Sequence, residues 1–424
     1  MNSLNLNVSG LPKSATLAIN ELSQQLQQYG RTIYKFGLGQ SPFPVPMPVR
    51  QELIKNAHQK DYLPVEGLAQ LRRAVAEYYT RKHGVTRHTN QVLIGPGSKE
   101  LMFLLQLVYY GDLVIPTPSW VSYAPQAHII GRQVRWLPTK REDNWMLSAK
   151  ELEKHCRKDK NRPRIVILNY PSNPTGSTFS EQQLKEIAEV ASSYNVILLS
   201  DEIYGELHHQ GAHQSISRYY PEGTILSGGL SKWCGAGGWR LGVFVFPEAY
   251  DNIKNAMAVA ASETYTSTSA PIQYAAVAAF QESPDIESYL NKARHILKML
   301  SDYISNRFGE VNISGPKVDG GFYIFPEFTA YRNQLRERSV TTGAELCEYL
   351  LEKTGVATLP GSAFGCPEGE LTCRLAFVDF DGERALDLYD KYFTKNGDAQ
   401  KYLEQACPKV LDGIELLIEE VRNW

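Results

Sequence analysis

Short apolar runs alternate with longer stretches of mixed polarity between residues 91 and 247. Most of the runs are apolar at nearly every position, a pattern that indicates strands covered on both faces. They predict seven strands, at 91–95, 113–116, 133–137, 164–169, 195–200, 224–227 and 241–246. Helices are predicted between them at 99–110, 118–130 and 181–194. This alternation is typical of an α/β layer built on a mostly parallel sheet.

The two ends of the chain follow other patterns. Residues 1–49 are polar and then proline-rich, which predicts an extended arm. A long helical stretch is predicted from 283 to 307, and strand-like runs follow at 321–326 and 373–378. The tail has one apolar helix face that is predicted to pack against this region. Its residues are Val410, Leu411, Ile414, Leu417, Ile418 and Val421.

These patterns predict two domains, and a chain of 424 residues is long enough for both. The large α/β domain is expected at 50–290 and a smaller α+β C-terminal domain at 291–424. Residues 1–49 are expected to form the N-terminal arm and part of the small domain.

Composition and charge exclude several classes of protein. Hydrophobic residues make up 43% of the chain and charged residues 21%, as in ordinary globular proteins. The net charge of -2 gives no electrostatic reason to expect nucleic acid as a partner. The chain has no run of about eighteen apolar residues, so no membrane span is expected.

The cysteine and histidine patterns predict neither a disulfide framework nor a metal site. The six cysteines form no CxxC pair. His208, His209 and His213 lie in a polar stretch that is predicted to be a solvated loop without a carboxylate partner. Residues 1–6 lack the charged and apolar regions of a signal peptide. We therefore expect a cytoplasmic protein with reduced thiols and no bound metal.

Reactive or flexible residues follow four of the predicted strands. They are Gly97, Ser98 and Lys99 after 91–95, Asn173 after 164–169, Asp201 and Tyr204 after 195–200, and Lys232 after 224–227. In open α/β sheets, ligands bind beyond the carboxyl ends of the strands. The four strand ends therefore predict a single site.

Lys232 is followed by a glycine-rich turn and, eight positions later, by Arg240. A lysine amine can form a Schiff base with an aldehyde, and the planar guanidinium of arginine grips phosphate oxygens in a fork. Pyridoxal phosphate carries both of these groups. A buried carboxylate such as Asp201 can keep a pyridine nitrogen protonated. The amides of Gly97 and Ser98, at the start of a helix, can bind a phosphate.

Each of these residues also has an ordinary structural interpretation. Asp201 alone could be a helix N-cap, and Asn173 could be a turn residue before proline. Gly97 and Ser98 could simply begin a helix. The four strand ends favour a site only because they occur together.

Four segments together resemble the class I/II aminotransferases, the aspartate aminotransferase-like pyridoxal phosphate enzymes of fold type I. The segments are Asn173-Pro174-Thr175-Gly176, Asp201-Glu202-Ile203-Tyr204, Ser231-Lys232 and Gly238-Trp239-Arg240. The order and spacing match from about Ile33 to at least Phe377. The resemblance implies a large domain with a mostly parallel seven-stranded sheet, amino-acid and 2-oxo acid substrates, a ping-pong reaction, and a homodimer with shared sites.

The resemblance also implies roles for individual residues. Lys232 resembles the lysine that holds the cofactor and moves the substrate α-proton. Tyr62 resembles a tyrosine that reaches the phosphate from the neighbouring subunit. The cofactor-binding set is Tyr62, Gly97, Ser98, Lys99, Trp120, Asn173, Asp201, Tyr204, Lys232 and Arg240. The substrate-binding set is Gly39, Trp120, Asn173 and Arg374, with Arg374 on the α-carboxylate.

Some features leave alternatives open. Many members of the family have a phosphate-binding serine where this chain has Gly229, and Ser227 or Ser231 could replace it. A carbon–sulfur lyase, a cyclopropane-forming synthase and a pyridoxal phosphate-sensing regulator share the same motifs, although the regulator would need a helix-turn-helix domain before residue 50. No cation is assigned to a distal substrate carboxylate. Phe322 and Tyr323 would equally suit an aromatic or glutamine-like substrate.

Overall fold

The computed structural model describes residues 5–9, 11, 15–393 and 397–424. Its α-helices are α1 (Ala15–Gln28), α2 (Met47–Asn56), α3 (Ala69–His83), α4 (Ser98–Val108), α5 (Tyr123–Ile129), α6 (Ala149–Arg157), α7 (Glu181–Ser193), α8 (Asp251–Ser262), α9 (Ala270–Phe280), α10 (Pro284–Glu310), α11 (Arg332–Glu337), α12 (Gly343–Thr354), α13 (Gly382–Phe393), α14 (Ala399–Ala406) and α15 (Pro408–Arg422). Its strands are β1 (Tyr34–Lys35), β2 (Val92–Gly95), β3 (Asp112–Thr117), β4 (Val134–Pro138), β5 (Arg164–Asn169), β6 (Ile197–Asp201), β7 (Thr224–Gly229), β8 (Gly242–Val245), β9 (Tyr323–Ile324), β10 (Val356–Ala357), β11 (Leu359–Pro360) and β12 (Cys373–Ala376).

All seven predicted strands form one sheet, in the order β2-β8-β7-β6-β5-β3-β4. Only β8 runs opposite to the other six strands, so the α/β fold with a mostly parallel sheet is confirmed. The strands β2, β5, β6 and β7 all run in one direction, which puts their carboxyl ends at the same edge of the sheet.

The apolar runs reflect burial on both faces of the sheet. In β5, Ile165 and Ile167 belong to the apolar core shared with α4 and α8. The alternate residues Val166 and Leu168 belong to the core shared with α6 and α7. Side chains of a strand alternate between its two faces, so a strand covered by helices on both sides is apolar throughout.

The helix predicted at 118–130 is shorter in the structure, where α5 spans Tyr123–Ile129. The preceding residues do not form a helix, because the Ser119 amide donates to the Phe364 carbonyl at 2.9 Å. Pro118 also disfavours a helical conformation of the residue before it. The resulting turn leads the chain across to the C-terminal region before the helix begins.

The prediction of an extended arm for residues 1–49 is wrong for α1, which is a helix of 14 residues. One face of this helix is anchored by Ala15 and Ile19, which pack against a small core that contains Phe325 and Phe364. The tertiary contacts therefore outweigh the polar composition of the segment. The proline-rich part between β1 and α2 is free of regular structure, as predicted.

The C-terminal region contains a three-stranded antiparallel sheet, β11-β12-β9, and a parallel pair of β1 with β10. The long helix predicted from 283 to 307 is α10, and the predicted apolar tail face is buried in α15. The domain boundaries at 49/50 and 290/291 remain a prediction; they fall within α2 and α10. Residues 1–4, part of the segment predicted to lack a signal peptide, lie outside the described residues. None of the described helices has both the length and the apolar character that crossing a bilayer requires.

Candidate active site

A cavity of about 510 Å³ lies at the carboxyl ends of β2, β5, β6 and β7. It brings together most of the residues that the sequence singled out, with contributions from all four strand ends. The predicted residues that line it are Gly39, Ser98, Lys99, Trp120, Asn173, Asp201, Tyr204, Lys232, Arg240 and Arg374. Gly97 directly precedes Ser98, whereas Tyr62 does not line the cavity. The roles assigned to these residues remain predictions.

Lys232 places its amine between backbone and aromatic rings. Its Nζ donates to the Gly39 carbonyl at 2.8 Å and lies 5.6 Å from the centroid of the Tyr204 ring and 5.8 Å from that of Phe322. The hydroxyls of Tyr204 and Tyr323 are 2.9 Å apart. A Cβ at Gly39 would lie 1.9 Å from the Tyr323 hydroxyl, so only glycine fits there. The Lys232 amine is therefore held inside the cavity by a backbone acceptor.

Asp201 ends β6 with its side chain buried. Tyr123 donates to its Oδ2 at 2.5 Å and Ser227 to its Oδ1 at 3.3 Å. Burial raises the pKa of Asp201 to about 6, and the hydrogen bonds from Tyr123 and Ser227 oppose that rise. Sequence reasoning missed Tyr123, and it offered Ser227 as a phosphate ligand. The structure instead pairs Ser227 with Asp201, while Ser231 lines the cavity.

Gly97 and Arg240 approach each other closely at the entrance to α4. Gly97 has φ +94°, and a Cβ there would lie 2.1 Å from Nη2 of Arg240. The guanidinium donates to the carbonyls of Gly237 at 3.0 Å and Pro96 at 3.3 Å. A helix N-terminus with free amides beside an arginine is a good site for a phosphate. With Lys232 and the buried Asp201, these residues fit the aldehyde, the phosphate and the ring nitrogen of pyridoxal phosphate.

Gly229 occupies the position of the missing phosphate-binding serine. Its φ is +156°, and a Cβ would lie 2.6 Å from the carbonyl oxygen of Leu241. No side chain is accommodated there in this backbone conformation, because the antiparallel neighbour β8 is too close. The absence of the serine therefore has a steric cause.

Arg374 lies in β12 and is fully buried beside the cavity. Its Nη1 donates to Oδ1 of Asn173 at 3.1 Å, and its Nη2 donates to the Gly37 carbonyl. The guanidinium carbon lies 4.7 Å from the centroid of the Tyr323 ring. Burial lowers the pKa of Arg374, and the nearby tyrosines Tyr323 and Tyr204 oppose that change. Its Nε is buried without a hydrogen-bond partner.

Lys99 supplies a further cation to the same cavity. Its Nζ lies 5.0 Å from the centroid of the Trp120 ring. Burial lowers the pKa of Lys99, and the cations of Arg240 and Lys232 lower it further. The sequence placed Lys99 in the cofactor-binding set and assigned no cation to a distal substrate carboxylate. The signal for a cation in the cavity is the position of Lys99 as the second residue of α4, a helix that begins at the site.

The family model described as "Aminotransferase class I and II" matches residues 31–379. The chain belongs to this family. The match covers most of the chain and includes every residue of the predicted site. As a class I and II aminotransferase, the protein transfers amino groups and uses pyridoxal 5'-phosphate as its cofactor. The predicted enzyme class and cofactor are thereby confirmed.

Among its relatives is an aspartate aminotransferase of Geobacillus stearothermophilus. The two are 31% identical over 375 residues, which cover 85% of this chain and 91% of the relative. An asparagine–oxo-acid transaminase of Streptococcus mutans is 30% identical over 380 residues, 87% of this chain and 93% of the relative. The fold is similar to that of Thermus thermophilus aspartate aminotransferase solved with maleate, with a TM-score of 0.82 and 24% identity over 99% of this chain and 100% of that one.

Tyr62 lies on the surface of the aminotransferase chain. Its side chain is 88% exposed and does not line the cavity of its own chain. Other large apolar side chains on the surface are Met47 and Ile54 in α2 and Val259 in α8. The prediction that Tyr62 serves a neighbouring subunit remains a prediction.

The prediction that His208, His209 and His213 lie in a solvated loop without a carboxylate partner is wrong. His208 and His209 are buried, and His213 is largely so, rather than solvated. The His209 amide donates to the Asp319 carbonyl, and its ring nitrogen Nε2 lies 3.0 Å from the Gly321 carbonyl oxygen. His213 has a carboxylate partner, since its Nε2 lies 2.9 Å from Oε2 of Glu202. The segment folds against Glu202 and residues 319–321, which its polar composition did not indicate.

Proposed function

We propose that this aminotransferase takes aspartate, or a dicarboxylic amino acid of similar size, as its amino donor and passes the amino group to a 2-oxo acid. The observation that carries the proposal is the set of four cations around one cavity. Lys232 and Arg240 are assigned to the aldehyde and the phosphate of the cofactor. Arg374 and Lys99 remain, one for each carboxylate of a dicarboxylic substrate. The names of the aspartate and asparagine aminotransferases among the relatives support the same substrate class.

Arg374 is the proposed partner of the α-carboxylate. A guanidinium binds a carboxylate through two parallel hydrogen bonds, which fixes both distance and orientation. Its contacts with Asn173 and the Gly37 carbonyl hold the guanidinium plane in place. The α-carbon of the substrate would then be directed towards the Lys232 amine.

Lys232 is the proposed base that moves the α-proton. When bound, pyridoxal phosphate supplies the carbonyl carbon that receives the amino group and a ring that accepts the electrons of the broken C–H bond. The Lys232 amine would take the proton from the substrate α-carbon and deliver it to the cofactor carbon that receives the amino group. The Asp201 carboxylate stabilises positive charge on the ring nitrogen, which favours this electron flow.

Replacing Lys99 with Gln tests the substrate proposal. A hydrogen bond to a charged group contributes about 1.5–3 kcal/mol, so kcat/KM for aspartate should fall by roughly 10- to 100-fold. The kcat/KM values for alanine and phenylalanine as amino donors should change little, because neither donor has a distal carboxylate. Lys185→Gln, an exposed lysine paired with Glu181, is the matched control. An equal loss for every donor, together with weaker cofactor binding, would make Lys99 a phosphate ligand and overturn the proposal.

We also propose that the enzyme is a homodimer whose sites are shared, with Tyr62 reaching the phosphate of the neighbouring subunit. The 88% exposure of the Tyr62 side chain, which does not line the cavity of its own chain, leaves it available to a neighbouring subunit. Tyr62→Phe and Lys232→Ala chains can be mixed to test it. In a two-fold dimer, random pairing restores both wild-type groups in about a quarter of the sites if Tyr62 acts across the interface. No recovery of activity, or an active monomer by sedimentation, would contradict this assembly.

We propose the cytoplasm as the compartment of the enzyme. All six cysteines are free and buried, which is typical of proteins from a reducing environment. Localisation of a fluorescent fusion of the full chain would check the proposal, and a secreted product would contradict it.

A further inference from the structure

We propose that His83, Glu202 and His213 form a binding site for one divalent transition-metal ion of the Zn²⁺ class. The Nε2 atoms of His83 and His213 lie 3.2 and 2.9 Å from the same oxygen, Oε2 of Glu202. The three ligand atoms all lie within 4.8 Å of one another. This cluster lies outside the substrate cavity and has no part in the proposed transamination.

The ligand set is the one that zinc prefers when an open coordination position remains. Two imidazoles and one carboxylate bind zinc in several hydrolases, with metal–ligand bonds of about 2.0–2.2 Å. Tetrahedral geometry with such bonds separates neighbouring ligand atoms by roughly 3.3 Å. The observed separations of 2.9 and 3.2 Å need to open by only a few tenths of an ångström. Mg²⁺ and Ca²⁺ prefer oxygen ligands and would not be favoured here.

The surrounding hydrogen bonds orient Glu202 for this role. Its Oε1 accepts from the hydroxyls of Ser200 at 2.7 Å and Ser215 at 2.6 Å, which leaves Oε2 to the two histidines. Such second-shell contacts fix the direction of a ligating carboxylate.

The histidines can expose Nε2 to a metal by moving a proton within the ring. Nδ1 of His83 lies 3.4 Å from the Ser217 hydroxyl, which can accept the transferred hydrogen. Nδ1 of His213 has no hydrogen-bond partner, so no contact fixes that ring in one tautomer. Each neutral imidazole then binds the ion through Nε2 and keeps its proton on Nδ1.

A small cavity of about 60 Å³ gives access to these ligands. Its lining includes Lys82, Gly205, Gly211 and Trp233 beside the three ligands. The volume suits an ion with one or two waters and is too small for an amino-acid substrate. The nearby Glu206 is already paired with Lys82 and Arg294, so Glu202 is the carboxylate left for the ion.

The test uses the holoenzyme after treatment with a chelator, titrated with Zn²⁺ and, for spectroscopy, with Co²⁺. One ion should bind per chain, and Co²⁺ should give visible d–d bands of a tetrahedral nitrogen–oxygen site. His83→Gln and His213→Gln should each weaken binding at least tenfold. His295→Gln, which removes a half-buried histidine bonded to Tyr389, should leave binding unchanged.

A second readout separates ligand loss from misfolding. Zn²⁺ should raise the melting temperature of the wild type and of His295→Gln but not of His83→Gln, because only folded chains with the site gain from the ion. Cofactor absorbance should be the same in all these variants without metal. The proposal is wrong if the wild type binds no stoichiometric ion, or if both ligand variants bind as tightly as the wild type.

Discussion

The hydroxyl of Tyr123 lies 2.5 Å from Oδ2 of Asp201, the shortest contact of that carboxylate and one that joins α5 to the end of β6. The carboxylate is buried, and burial alone disfavours its ionised form. Hydrogen bonds from Tyr123 and Ser227 compensate for part of the lost hydration. The negative charge at the base of the cavity therefore depends on a residue outside the recognisable motifs.

Replacing Tyr123 with Phe should lower kcat/KM for all donors by roughly 10- to 100-fold, since one hydrogen bond to a charged group contributes about 1.5–3 kcal/mol. The cofactor should also bind more weakly, because Asp201 loses its best-aligned partner. Steady-state kinetics and cofactor titration would measure both effects. Tyr109→Phe, on a half-buried tyrosine remote from the cavity, is the control. Unchanged values for both variants would show that Asp201 does not need this donor.

Gly97→Ala should weaken binding of the cofactor. The new Cβ would lie 2.1 Å from Nη2 of Arg240 and would displace the guanidinium from its place beside α4. Gly84→Ala is a matched control, since Gly84 also has positive φ, +69°, but meets no atom within 4 Å. Both substitutions also carry a backbone cost of about 1–3 kcal/mol, because neither Gly84 (ψ +15°) nor Gly97 (ψ +150°) has a conformation that alanine adopts readily. Only Gly97→Ala should raise the Kd for pyridoxal phosphate, as measured by absorbance titration of the apoenzyme.

Arg374→Lys should lower kcat/KM for every amino donor alike. Lysine cannot reproduce the planar fork, so the loss should be about 2–4 kcal/mol for donors of any side-chain type. Cofactor absorbance should persist, because Arg374 contacts Asn173 and Gly37 rather than the phosphate-binding turn. Kinetics with an acidic, an aromatic and a small donor would decide the matter. A loss confined to the acidic donor would show instead that Arg374 binds the distal carboxylate of the substrate.

His208 should make the free energy of unfolding depend on pH. Its Nδ1 accepts from the amides of Gln210 and Ala212, and burial lowers the pKa of His208 to about 4. The unfolded side chain titrates near pH 6.5, so between about pH 6.5 and 4 the unfolded chain binds more protons. Stability must therefore fall as the pH decreases through this window.

His208→Asn keeps an acceptor for the two amides but does not titrate. The decrease in the free energy of unfolding between about pH 6.5 and 4 should be smaller in this variant, with little difference above pH 7. Urea unfolding of the holoenzyme at several pH values would measure the slope. Parallel curves for the variant and the wild type would show that His208 does not contribute.

The sequence predicts the central sheet well because strands buried on both faces carry an apolar signal at every position. It also predicts that four strand ends meet, since the direction of parallel strands fixes one shared edge. The error at α1 arises because that helix is stabilised by contacts of Ala15 and Ile19 with residues far along the chain. No local pattern records such contacts.

The candidate site is predictable where its residues lie in motifs and obscure where they do not. Asp201 and Lys232 follow strands directly, and their residue types indicate their chemistry. Tyr123 enters the site through the way α5 packs against the end of β6, which spacing along the chain does not reveal. The pairing of His83 with Glu202 is of the same kind, because it joins the end of α3 to the end of β6.

The pairing of β1 with β10 has a consequence for the order in which the enzyme is made. Tyr34 is in register with Val356, and the Gly37 carbonyl accepts from Arg374, so an early segment waits for one that is synthesised much later. Until then Ile33 lacks its later partners Leu351 and Ala357, which complete its burial in the finished protein. The central sheet can fold during translation, whereas the substrate arginine takes its place only after release of the nearly complete chain.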